Sequence, residues 1–326
     1  MSPTTNMSMN VVIILVLNMI VLRYVGSGKY SDVFKIHHKT CPVILKVSYY
    51  RDTTLNGFSA CIRSMKYQEA KRIKRRDAIA IASQMGTIGN AFVQQRISPH
   101  FVILYGDIDC KNFAEHIRHV IPHRKMSPIQ MKYNNLTFLE VFDTDLTRYL
   151  MRTQVTDGAL CAILFHVLYT LAALQHKYPG FRHNDLSTNN VLVKKTQHTA
   201  SYSVGGTLKK TFYTTTPILV ALADYDFTHI PETMNNERID SGHYKIDSKS
   251  NPSYDTHFFL KSVAKCLGLR GNAAPKTRAF LRSLKMLAQD RLSVCLDALV
   301  PHQVLQHTYF SALQKPIKGV YETYTF

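Results

Sequence analysis

The sequence predicts an α+β chain in two parts, a small antiparallel β-sheet carrying one main helix followed by a larger, mainly α-helical part. Three observations lead there. Up to Tyr49, short β-branched and aromatic runs alternate with turn residues. From Ser59 to Met85 the apolar positions recur at helical spacing, and beyond Asp145 that spacing dominates.

In chain order, the first strands are expected at Met19 to Val25, Val33 to His37 and Val43 to Tyr49, punctuated by Gly, Ser, Lys and Pro. The helical stretch from Ser59 to Met85 follows, and Phe101 to Tyr105 and Thr137 to Phe142 are strand-like and complete the sheet. The helices of the second part are expected at Cys161 to His176, Thr256 to Leu267 and Thr277 to Leu287. Lys194 to Thr216 is dense in Thr, Lys, Ser and Gly and reads as an exposed hairpin insertion, and Lys111 to Lys132 reads as a second insertion. The expected organisation is an apolar extension over 1–18, a first lobe over 19–142 with an insertion at about 107–134, and a second lobe over 143–326 with an insertion at about 194–216.

The 326 residues are 45% hydrophobic, which excludes a disordered or fibrous chain. The formal charge of +18 favours an anionic partner, whether nucleic acid, an anionic membrane, an acidic protein or a phosphate-rich ligand. No C-x-x-C spacing occurs among the six cysteines, which argues against a structural zinc site and a disulfide framework. The apolar run from Val11 to Leu22 is about a dozen residues, short of the ~20 of a spanning helix. It lacks a preceding Lys or Arg and a following cleavage site, so a strand or packed extension is favoured over a membrane anchor or signal peptide, and an intracellular chain is expected.

The strongest chemical signal is Phe181-Arg182-His183-Asn184-Asp185-Leu186-Ser187-Thr188-Asn189-Asn190, leading into Val191-Leu192-Val193. It fits H-x-D-x-x-x-x-N before a short strand, a spacing that lets one loop present a carboxylate to a hydroxyl and an amide oxygen to a metal. A second carboxylate closes the apolar run from Ile218 to Ala223. Asp224 is the preferred residue there, with Asp226-Phe227-Thr228 as a rival registration. Upstream, Val25-Gly26-Ser27-Gly28-Lys29-Tyr30 is glycine-rich, and missing side chains allow backbone amides to approach phosphate. A P-loop is excluded because Tyr30 follows Lys29 and Arg23 stands where glycine is required. Lys46 ends Val43-Ile44-Leu45, and Glu69 is the only acidic residue between Asp52 and Asp77.

With these motifs, from about Tyr24 to Phe310, the chain resembles the eukaryotic-type protein kinase superfamily, and in its departures the divergent Ser/Thr kinases of large DNA viruses. The resemblance implies a bilobal protein-kinase-like fold, ATP and Mg²⁺ or Mn²⁺ as cofactors, protein substrates phosphorylated on Ser or Thr, and, for a viral protein, the host cytoplasm or nucleus. It implies a catalytic set of Asp185, Lys46, Glu69 and Asn190, with Asn190 and Asp224 as metal ligands. The nucleotide-binding residues it implies are Val25, Gly26, Ser27, Gly28, Tyr30, Val33, Ile44, Lys46, Leu139, Glu140, Phe142 and Leu192. Asn251 to Asp255 and the segments Asp290-Arg291-Leu292 and Leu305 to Phe310 resemble the large lobe of protein kinases rather than of small-molecule kinases. Ser187 stands where Ser/Thr kinases carry a lysine, Asn184 replaces an arginine, and Asp226 takes the place of a glycine. These departures leave a second reading, a pseudokinase or basic scaffold that binds an anionic partner.

Overall fold

The computed structural model describes residues 21–28, 30–37, 42–50, 52–64, 77–121, 126–205, 208–240, 246, 251–268, 274–284, 300–320 and 322–326. The chain is α+β, and its packing divides it into two units, one formed by residues up to Ser83 with Ile103–Val141, the other by Gln84–Val102 with Phe142–Phe326.

The first unit is built on a five-stranded antiparallel sheet in the order β1-β2-β3-β5-β4. Its strands are β1 (Val21–Ser27), β2 (Ser31–His37), β3 (Val43–Tyr49), β4 (Leu104–Lys111) and β5 (Tyr133–Leu139). Alternation sorts the side chains. Phe34, Ile36, Leu45, Val47 and Leu136 point into one core, joined by Cys110, Phe113, Ala114 and Ile117. At roughly 25 cal/mol per Å² of apolar surface, burying a phenylalanine or leucine such as Phe34 or Leu45 contributes about 2 kcal/mol. The opposite face carries Val33, Ile44, Lys46 and Leu139 in half-buried positions. Asp107 to Lys111 and Tyr133 to Asn135 are ladder residues, so the chain leaves the sheet only between them, through α3 (Phe113–His116) and α4 (Pro128–Lys132).

The helical stretch expected over Ser59 to Met85 is instead described as α1 (Asp52–Arg63) and α2 (Ala78–Gln94). Buried Asp77 starts α2, because its carboxylate accepts from Ile79 N–H at 3.0 Å.

The second unit is dominated by α6 (Asp157–Lys177). Thr156 caps it by accepting from Ala159 N–H at 3.2 Å, and its side chains from Leu160 to Leu174 are all buried. Among the described residues it is the one helix long and apolar enough to cross a membrane, but 83% of that window is buried inside the protein, as expected of a core helix. The unit also carries α5 (Leu146–Arg152), α7 (Glu237–Asp240), α8 (Tyr254–Gly268) and α9 (Pro275–Ser283), of which α9 packs on α6 and α8 on α5.

Strands β7 (Val191–Val204) and β8 (Lys210–Leu222) form a long antiparallel hairpin, edged by β6 (Thr144–Asp145) and by the parallel strand β9 (Glu322–Thr325). This hairpin contains the segment read as exposed, and the structure corrects that reading. Ala200, Tyr202, Val204, Phe212, Thr214 and Thr216 alternate inward and are buried, with Phe165 of α6 4.8 Å from Phe212 between ring centroids. Strand β9 was not expected from the sequence. A Cβ on Gly205 would lie 2.5 Å from the Phe326 carbonyl oxygen, so a residue without one permits the close approach that seals this edge.

Candidate active site

In the second unit, the loop 181–190 is a short irregular segment held at several points rather than a regular element. Its two ends are fixed by backbone pairing. Arg182 exchanges N–H···O bonds with His229 at 3.0 and 2.9 Å, and Ala223 N–H donates to the Asn190 carbonyl at 3.0 Å. Beneath the loop, the carboxylate of Asp255 accepts from His183 N–H at 2.6 Å and from Asn184 N–H at 2.9 Å. Asp255 is 1% exposed on α8, and burial pushes its carboxyl above the ordinary range, while His183, the two amides and Arg182 oppose that push. Thr188 ties the far side of the loop down, sharing a hydroxyl–hydroxyl bond with Thr147 at 2.7 Å and donating its N–H to the Ser262 hydroxyl oxygen at 3.0 Å.

Within this frame Asp185 and Asn190 meet. The Asn190 amide donates to the Asp185 carbonyl at 2.7 Å and to its carboxylate at 3.0 Å. Using the amide nitrogen this way turns the Asn190 carbonyl oxygen to other partners. Loss of hydration pushes the Asp185 carboxyl above the ordinary range; His183 and Asn190 favour its charged form, and Asp224 and Asp226 act against it. His183 donates from Nε2 to the Ala223 carbonyl at 2.9 Å, linking the loop to the residue preceding Asp224.

Asp224 is exposed and has φ 62°, and Asn184 has φ 64°. Asn and Asp tolerate this left-handed region better than other side chains that carry a Cβ. Asn184 also donates to the Phe227 carbonyl at 2.9 Å, so it pins the segment after Asp224. Asp226, the rival registration, pairs instead with buried Arg238 at 3.4 Å, and the Arg238 guanidinium lies 5.2 Å over the Phe227 ring. Asp224 and Asn190 offer oxygen donors, the chemistry that suits Mg²⁺ or Mn²⁺ rather than a soft metal.

Arg182 is 1% exposed, and its charge favours the ionised form of Asp255. Leu192 lies on β7, half-buried, in register with Ala221.

The remaining expected residues belong to the first unit, apart from Phe142, which the packing groups with the second. Val33 lies opposite Lys46, and Lys46 opposite Thr137, while Ile44 lies opposite Leu139. Directly paired residues share a face, so these side chains form two adjacent cross-strand rows. Val25 falls at a register shift and is 53% exposed; Gly26 and Ser27 pair with Val33 and Asp32; Gly28 N–H donates to the Ser31 carbonyl at 2.8 Å. The Tyr30 carbonyl accepts from Tyr49 N–H, and Glu140 N–H donates to the Ile103 carbonyl at 3.0 Å. Glu69, the Lys66 to Arg76 part of the basic cluster, and Asp290 to Leu292 lie outside the described residues. The seats supplied by Thr147 and Ser262 carried no sequence signal, because both are single hydroxyls inside helices remote from the loop.

Sequence comparisons find relatives described as serine/threonine protein kinases. Residues 159–270 match the family model described as poxvirus serine/threonine protein kinase. Over 273 residues the chain is 26% identical to a protein of Acanthamoeba polyphaga mimivirus described as "Putative serine/threonine-protein kinase R400", covering 74% of this chain and 55% of that protein. The chain thus spans about half the length of that curated relative. A crystallised kinase domain superposes over 95% of this chain and 98% of its own at 13% identity, with a TM-score of 0.46. The chain resembles a divergent viral protein kinase.

Proposed function

We propose that this chain is an ATP-dependent protein kinase that transfers the γ-phosphoryl group to Ser or Thr hydroxyls of protein substrates. The observation that carries this reading is the Asp185–Asn190 pair, bonded at 3.0 Å in a loop that His183 connects to the residue before Asp224. In this reading Asp185 orients the substrate hydroxyl and takes up its proton as the phosphoryl group transfers. Asn190 and Asp224 are the residues that would hold Mg²⁺ or Mn²⁺, which when bound neutralises phosphate charge. Lys46, paired with Glu69, would bind the α and β phosphates. Val25, Gly26, Ser27, Gly28, Tyr30, Val33, Ile44, Leu139, Glu140, Phe142 and Leu192 complete the proposed nucleotide-binding set.

Ser187 in place of the lysine favours a second reading, a pseudokinase or basic scaffold that binds an anionic partner. Incubating tag-free protein with labelled ATP, Mg²⁺ or Mn²⁺ and one basic and one acidic protein separates the two. Label on Ser or Thr of either protein, abolished in Asp185→Asn, supports the kinase. Tight ATP binding with no label transferred supports the scaffold. The +18 charge supports an anionic partner in either case. Its binding to nucleic acid, acidic protein or anionic vesicles should weaken steeply as the Debye length falls from ~10 Å at 0.1 M salt to ~3 Å at 1 M. Salt-independent binding would leave the charge as a solubility feature.

A further inference from the structure

Away from the loop, three histidines from distant parts of the chain meet inside the second unit: His100, His166 on α6 and His198 on β7. They are 0%, 1% and 7% exposed, and one ring nitrogen of each lies within 4.8 Å of one from each of the others. Three buried imidazoles are costly unless every nitrogen has a partner. The partners here are distributed in a pattern.

One nitrogen of each ring lies near a protein oxygen other than the Tyr202 hydroxyl. His100 Nδ1 lies 2.8 Å from the Val220 carbonyl, which can only accept, so Nδ1 carries the proton and Nε2 presents a lone pair. His166 Nε2 lies 2.9 Å from the Thr214 hydroxyl, and His198 Nδ1 lies 3.6 Å from a Glu322 carboxylate oxygen. The other nitrogens are served poorly. His166 Nδ1 is buried with no hydrogen-bond partner among the described residues. His100 Nε2 and His198 Nε2 converge on one atom, the Tyr202 hydroxyl, at 3.0 and 2.6 Å. That hydroxyl has a single proton. Giving it to His100 requires His198 to donate from Nε2, which leaves the bare Nδ1 of His198 facing a carboxylate.

We propose that His100, His166 and His198 bind a divalent transition metal of the zinc type, through His100 Nε2, His198 Nε2 and one ring nitrogen of His166, with the Tyr202 oxygen beside them as a further donor. The ion resolves each mismatch. A turn of the His166 ring gives Nδ1 the ion as its partner, and His198 shifts its proton to Nδ1, on the side of the Glu322 carboxylate. Backbone carbonyl, hydroxyl and carboxylate then support the three rings in the manner of the outer partners that orient metal-binding histidines. Two nitrogens bound at ~2.05 Å in a tetrahedron lie about 3.3 Å apart, so closing from the 4.8 Å limit needs side-chain shifts of about 1 Å together with rotation of the His100 and His166 rings, which stack 4.3 Å apart at 26°. Burial lowers the proton affinity of all three rings, which keeps them in the neutral form that ligates. The ligands come from the segment before β4, from α6 and from the hairpin, so the ion would clamp the hairpin to the central helix. It is a closed, structural site, and nothing in it depends on the phosphotransfer reading. Cysteine spacing could not reveal it, since no cysteine takes part.

The test uses the full chain without a histidine tag, refolded with excess Zn²⁺ or Co²⁺ because the site is buried, then freed of loose metal by gel filtration. The expected result is about one equivalent retained by wild type and less than about a tenth by His166→Phe, which keeps an aromatic ring in the stack, together with a rise in Tm of about 5 °C for loaded over metal-free wild type. X-ray absorption of zinc-loaded wild type needs no variant and should show imidazole scattering. Retention below about a tenth of an equivalent by wild type, equal retention by His166→Phe, or a coordination shell without imidazole overturns the proposal.

Discussion

The Asn190 side-chain amide donates to both the backbone carbonyl and the carboxylate of Asp185, so one residue fixes the position of the other's main chain and its charge. Asp224 lies outside this pair but acts on it through its charge. Asp185→Asn and Asp224→Asn should each lose on the order of a thousandfold or more in phosphotransfer rate, as expected of groups that act together. Asparagine tolerates the left-handed backbone at position 224, so unfolding midpoints should stay within about 2 °C of wild type. Substantial activity in either variant, with the fold intact, removes that residue from the mechanism.

Asp255 should matter for stability rather than for a chemical step. Replacing it by alanine leaves two buried N–H groups, on His183 and Asn184, without their acceptor. The expected loss is about 3 kcal/mol, read as a lower denaturant midpoint at unchanged m-value. Asp255→Asn should recover less than half of it, because an amide offers only one oxygen to two donors. A midpoint unchanged in the alanine variant would show that the loop does not rest on this carboxylate.

The start of α9 depends on a partner 120 residues away. Asp157 accepts from Thr277 N–H at 2.8 Å, from the Thr277 hydroxyl at 2.7 Å and from Lys276 N–H at 3.2 Å. Partial burial raises its pKa, but these bonds and the Lys276 charge outweigh that, and the net result is below the ordinary carboxylate value. A depressed folded-state pKa contributes stability above the unfolded value of about 4, and that contribution is lost as pH falls through the lower folded value. Asp157→Asn should therefore cost about 1 kcal/mol at pH 7, after solvent screening, and progressively less below pH ~4. Denaturant titrations of both proteins across that range check the sign, and a difference that grows in acid would refute it.

The proposed phosphotransfer should not require phosphorylation of the segment after Asp224. Arg238, the described cation of that segment with charge to offer a phosphate, already pairs with Asp226 and covers the Phe227 ring. Asn184 uses its amide on the Phe227 carbonyl and carries no charge to neutralise. Turnover before and after complete phosphatase treatment should agree within about twofold, with mass spectrometry confirming a bare segment. A tenfold loss restored by rephosphorylation would assign the regulatory role to another cation.

The parts of this architecture that were legible in the sequence are those set by short-range spacing. His183, Asp185 and Asn190 declare a loop because their separations are local, and Asp224 follows an apolar strand directly. The hairpin misled because its inward positions include Thr214 and Thr216, whose hydroxyls find partners in His166 and in the Ile218 carbonyl that the sequence does not reveal. One helix was expected where two are described, because Asp77 looks like any other charged residue until its carboxylate is seen to cap Ala78 onward. Strand β9 was invisible for a different reason: four residues carry little periodicity, and their partner lies far upstream.

That distance has a consequence for biosynthesis. Ser201 and Thr323 are hydrogen-bonded neighbours 122 positions apart, and Thr325 N–H reaches back further still, to the Arg96 carbonyl. At about 5–20 residues per second, the β7 edge waits on the order of ten seconds on the ribosome before its parallel partner emerges. Through that interval it presents unpaired backbone groups, the kind of surface that recruits another nascent strand. Slower translation late in the chain would lengthen the exposure, so the yield of folded protein is tied to ribosome speed as well as to sequence.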